Sequence, residues 1–156
     1  MLTFRNVEVS PDDPVETWPA EAIATALVRG DLGHWRRLAD AIQVDPWGPV
    51  ARAVESVVEM DAPYGVSLLM RDVIAGARRD AVASVIRRMV AESGLSLREC
   101  AARVGTSGAR LSTYARGHVV PRADFLFRLA GVSGHQIGIV ARADQRSRPG
   151  AVAART

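Results

Sequence analysis

The sequence predicts an all-α fold, on three observations. Apolar residues recur at three- and four-residue spacing through most of residues 19–132. Helix punctuation brackets those runs, with Asp31 and Ser96 placed as N-caps, Gly30 and Gly117 as stops, and Pro121 just ahead of a further run. The chain has 156 residues, 48% of them apolar and dominated by Leu, Val and Ala. That is enough for one good core, or for two small helical domains, without cross-links.

Taken in order, Leu2–Val9 alternates apolar and polar residues and suits a short strand, which Ser10–Pro14 breaks. Ile137, Ile139 and Ala141 alternate in the same way, so Gln136–Ala141 is expected to pair with it, within one chain or across a dimer. Pro19–Arg29 places Ile23 and Leu27 on one helical face. Asp31–Ile42 carries Trp35, Leu38, Ala39 and Ile42 at helical spacing, with Asp31 as its cap. Asp45 and Pro46 open a third helix whose stripe is Val50, Val54, Val57 and Val58. A turn at Asp61–Gly65 precedes Val66, Leu69, Met70 and Val73, and the stripe resumes as Val82, Val85, Ile86, Met89 and Val90. With Gly76, Arg78 and Arg79 between these stretches, residues 66–92 read equally as one long helix or as two joined at a bend.

Charge divides the chain. Residues 1–75 hold 6 arginines and 12 carboxylates, net −6; residues 76–156 hold 14 arginines and 5 carboxylates, net +9. A basic half is the footprint expected of a polyanion binder, although a solvated basic surface would look the same. The single cysteine, Cys100, excludes an internal disulfide and fits a reducing compartment. No apolar run approaches the ~20 residues that span a bilayer, and Met1–Ser10 does not read as a signal peptide, so a soluble, cytoplasmic protein is expected.

The informative stretch is residues 94–132. Ser96 and Glu99 read as a capping box, after which Cys100, Ala101 and Val104 face inward. Ala101 is small where two helices must cross, and Gly105 accepts the positive φ of a sharp turn. Thr106 or Ser107 caps the next helix, which buries Leu111 and Tyr114 and stops at Gly117. Pro121 sets the first turn of another, with Phe125, Leu126 and Leu129 inward. A small residue, a turn glycine four positions on and an apolar anchor six beyond are what a helix-turn-helix requires.

On those residues, and on the Arg116, Gly117 and Pro121 landmarks, the stretch from 81 to 132 resembles the lambda-repressor/Cro-type (Xre) regulators. The resemblance implies an N-terminal helical region followed by a lambda-repressor-like helix-turn-helix domain that binds double-stranded DNA. It places the helix Ser107–Ala115 in the major groove, with Ser107, Gly108, Ala109, Ser112 and Thr113 nearest the bases. Arg110, Arg116 and His118 complete the expected DNA-binding set, the last two where the helix leaves the groove. Two features depart from the family pattern. Leu97 stands where the family often has a phosphate-contacting Gln. Gly108 and Ala109 leave few long side chains for direct readout, so sequence preference is either modest or read through DNA shape and other segments.

The resulting organisation is an acidic helical domain over 1–75 for dimerisation or partner binding, a DNA-binding domain over 76–141 and a disordered tail over 142–156. A homodimeric transcriptional regulator is the leading reading. The alternative is an antitoxin or adaptor whose N-terminal half binds a protein partner while the helix-turn-helix autoregulates. Nothing supports an enzyme, a cofactor or a metal. Without lysine there is no phosphate-binding loop of the Walker type, and His34, His118 and His135 lack zinc-ligand spacing. Trp35 belongs to a clear core stripe, whereas Trp18 and Trp47 border prolines and suit either a core or a docking surface.

Overall fold

The computed structural model describes residues 2–135 other than 6 and 61, and it is all-helical. Seven helices follow one turn of 3-10 helix at Val15–Thr17 among the described residues. They are α1 (Ala20–Arg29), α2 (Leu32–Val44), α3 (Pro49–Met60), α4 (Tyr64–Glu92), α5 (Leu97–Arg103), α6 (Gly108–Ala115) and α7 (Ala123–Ser133).

The caps follow from local chemistry. Asp31 accepts from the backbone N–H groups of Gly33 and His34 at 2.9 and 3.2 Å, satisfying two of the donors that open α2. α3 begins at Pro49, three residues after the expected Pro46, because the N–H of Gly48 turns back to the carbonyl of Asp45. Pro49 then sits in the first helical position, where its missing N–H costs nothing.

α4 is one continuous helix of 29 residues, which settles the question of a bend at Gly76 in favour of a single rod. Its buried residues change sides along its length. Val66, Met70, Ile74 and Ala77 join one hydrophobic cluster with α1–α3; Ile86 and Met89 join a second with α5–α7. At 3.6 residues per turn the two sets point roughly 135° apart, so the clusters lie on different flanks of the same rod. The apolar stripe therefore does not simply resume after Gly76. Val85, counted inward from the sequence, is exposed for this reason. Leu69, also counted inward, is exposed because it lies about a quarter turn from the face that Val66, Met70, Ile74 and Ala77 bury.

The first cluster is closed by the N-terminal segment. Trp18 is buried, its indole N–H donates to the carbonyl of Asp13 at 3.0 Å, and the Arg37 guanidinium lies 5.0 Å from its ring. Trp35 donates to the carbonyl of Ala26 at 3.1 Å. Trp47 remains half exposed beneath Arg78, which also makes a paired contact with Glu55 at 2.7 and 2.9 Å. The strand expected at Leu2–Val9 does not form. The alternation is real, since Leu2, Phe4, Val7 and Val9 all pack on the first cluster, but no described segment pairs with their backbone. Half-buried extended chain without a ladder is not a strand. The expected partner segment, Gln136–Ala141, and the tail over 142–156 lie outside the described residues.

No helix among the described residues is long and apolar enough to cross a membrane.

Candidate functional site

The residues singled out in the sequence converge on α6 and its flanks. α5 opens with Ser96, whose hydroxyl accepts from the N–H of Glu99 at 3.3 Å. The Glu99 carboxylate accepts from the Ser96 N–H at 2.9 Å and from its hydroxyl at 2.6 Å. These bonds, the hydroxyl first, hold the Glu99 carboxyl below its ordinary value of 4.5. The capping box is thus complete.

Four residues, Val104 to Ser107, separate α5 from α6. Gly105 takes φ +72°, the left-handed region, which lets its own N–H return to Ala102 at 3.2 Å and that of Thr106 to Ala101 at 2.9 Å. A side chain at that φ would be strained, so glycine is what allows the chain to reverse this quickly. Of the two candidate caps, Ser107 serves, accepting from the N–H of Arg110 at 3.1 Å. Cys100, Ala101, Val104, Leu111 and Tyr114 are buried, and the Tyr114 ring meets Phe125 of α7 at 4.9 Å. Burial pushes the Cys100 thiol above 9.0, which keeps it protonated and inert.

Ser107, Ala109, Arg110, Arg116 and His118 are exposed, while Gly108, Ser112 and Thr113 are half-buried along the same helix. The structure adds constraints that spacing alone does not reveal. Thr113 spends its hydroxyl proton on the carbonyl of Ala109 at 3.0 Å, leaving oxygen lone pairs and a methyl group for any ligand. Arg110 is drawn along its own helix, its Nε donating to the Tyr114 hydroxyl at 2.9 Å. Leu97 packs toward Gly108, where an added Cβ would lie 4.0 Å from its Cδ2. The departures from the family pattern at 97 and 108 therefore face one another.

Sequence reasoning passed over three further arginines. Arg87, on α4, donates to the carbonyl of Ala115 at 2.6 Å and so stands beside Arg116 at the end of α6. Arg98 and Arg103, on α5, are exposed. None of Arg87, Arg98, Arg103 and Arg116 makes an ion pair among the described residues; in this half Asp124 takes Arg122 and Arg128, each at 3.6 Å, and Glu92 takes His135. The signal available in advance was the charge imbalance of the half, which cannot say which arginines stay uncompensated.

Comparison of the chain with protein-family models, curated proteins and solved structures found no match.

Proposed function

We propose that the chain is a sequence-specific DNA-binding regulator, with α5, the Gly105 turn and α6 acting as a helix-turn-helix of the lambda-repressor/Cro type. One observation carries this reading. Two short helices joined by a four-residue glycine turn present α6 with a small, polar outer surface, bordered by arginines (Arg87, Arg98 and Arg116) that make no ion pair among the described residues. An α6 so placed fits a B-form major groove, which admits one helix. Their guanidinium groups supply the sequence-independent attraction to phosphate. Ser107, Ser112 and Thr113 then read base edges at close range, because Gly108 and Ala109 keep the helix surface low. Arg87 and Arg116 hold the backbone where α6 ends. Two copies would bind half-sites about one helical turn, ~34 Å, apart.

The deciding experiment is selection of bound duplexes from a random library, followed by titration of the selected and a scrambled duplex over a range of salt. An enriched motif, with affinity falling steeply as salt rises, is expected. Absence of enrichment together with flat salt dependence would remove DNA as the ligand.

A further inference from the structure

Between α2 and α4 lies a groove of about 540 Å³. α2 and α4 run in the same direction there. Leu32, at the start of α2, shares the groove with Leu69, and Gln43, eleven residues on, donates to Asp80, eleven residues beyond Leu69, at 3.3 Å. Its lining includes Leu32 and Leu69 at one end and Trp35, Ala39, Met70 and Val73 further along. Leu32 is 74% exposed and Leu69 43%, an unusual cost in water for residues that line an apolar concavity. Arg36 and Asp40 border it one helical turn apart, yet neither makes an ion pair among the described residues.

We infer that this groove is the interface at which a second copy of the chain docks, about a twofold axis crossing α2 near Arg36 and Asp40. A twofold interface must complement itself: what one copy offers at one end it must receive at the other. The exposed stripe of α2 that borders the groove meets that demand in register and in charge. Reversed by the axis, Leu32 of one copy comes over Val44 of its partner, itself 86% exposed. Arg36 of one copy then faces Asp40 of the other, and the reciprocal pair forms by symmetry. A basic protein partner would be matched by acidic side chains alone, whereas here cation and anion alternate. The interface rests on the regulator reading only in supplying the second α6 which that reading calls for; association without DNA is a separate property and is measured separately.

The test is sedimentation equilibrium of the full chain, without DNA, at tens of micromolar, where a dissociation constant of ~1 µM or below is fully expressed. The wild-type chain is expected to sediment as a dimer. Arg36→Asp and Asp40→Arg, both at exposed positions, each place like charges across the axis and should weaken association at least tenfold. An equimolar mixture of the two variants restores opposite charges at every contact and should recover a heterodimer, which also shows that both variants are folded. Leu32→Glu, at the exposed first position of α2, should leave helicity intact and yield monomer. A monomeric wild type, or single variants that associate as the wild type does, overturns the proposal. Duplex binding lost while the dimer persists would instead count against the DNA reading alone.

Discussion

The guanidinium of Arg87 donates to the carbonyl oxygen of Ala115, joining the middle of the second half of α4 to the last residue of α6 at 2.6 Å. The final carbonyls of a helix have no partner within it, and the negative end of its dipole favours a cation there. Arg87 supplies both the donor and the charge. Replacing it with methionine keeps the stem and removes the donor. Arg87→Met should lower unfolding stability by about 1 kcal/mol, the net worth of one exposed charge-assisted bond. A denaturant titration would show a lower midpoint at unchanged slope; an unchanged midpoint would mean the bond carries no stability.

Gly117 makes the next contact along the same seam. Its φ is +74°, and a Cβ there would stand 3.4 Å from both the Ala83 Cβ and an Asp80 carboxylate oxygen, against the backbone side of α4. Gly105 has nearly the same φ, +72°, but open space around it. Alanine at either position meets the left-handed penalty of about 1–2 kcal/mol. Gly117→Ala should cost about as much as Gly105→Ala, because contacts of 3.4 Å are ordinary van der Waals distances and the left-handed strain is common to both. A clearly larger loss at Gly117 would show that α4 resists even this added methyl group.

These contacts mark where sequence reasoning succeeds and where it stops. The Asp31 cap, the Ser96–Glu99 box and the Gly105 turn depend on residues within four positions of one another, and local chemistry forces their geometry. Core positions such as Leu38, Leu111 and Leu129 follow from helical period alone. The switch of the buried face along α4 depends on which helices pack on each flank, and the stripe in the sequence carries no record of that. Val85 is exposed for the same tertiary reason. In the candidate site, the small outer face of α6 is evident from residue types. The tie of Arg110 to Tyr114 and that of Arg87 to Ala115 depend on side-chain reach, at i+4 in one case and across 28 positions in the other.

The capping box also carries a pH dependence of defined sign. Glu99 is more acidic in the folded chain than its ordinary 4.5, so around and below that value the unfolded state binds the proton more readily. Its contribution is fully present above pH 4.5 and declines as the pH falls through the lowered folded value. Glu99→Gln should therefore be less stable than the wild type near neutrality, with the gap closing as the pH falls below 4.5 and through the lowered folded value. Ser96→Ala, which removes the cap itself, should cost about 1 kcal/mol. Thermal melts of the three proteins from neutral to acid pH provide the check. A Glu99→Gln gap that widens on acidification has the wrong sign for this assignment.

On the DNA reading, the exposed Arg116 and the half-buried Thr113 should fail in different ways. Arg116 is the C-cap of α6, makes no ion pair among the described residues and stands beside Arg87. A phosphate contact fixes position on the duplex but carries no base information. Arg116→Ala should weaken binding to selected and scrambled duplexes alike and make the salt slope shallower by about one unit. Thr113 differs because its hydroxyl proton is already committed to Ala109, so it meets a base as an acceptor or through its methyl group. Thr113→Ala removes both, and should relax preference at one base position per half-site at a cost of ~1–3 kcal/mol, with the salt slope unchanged. Salt titrations of each variant on both duplexes separate the two effects. If neither variant alters affinity, slope or preference, α6 does not read DNA, and the α5–α6 unit is a scaffold for protein contacts.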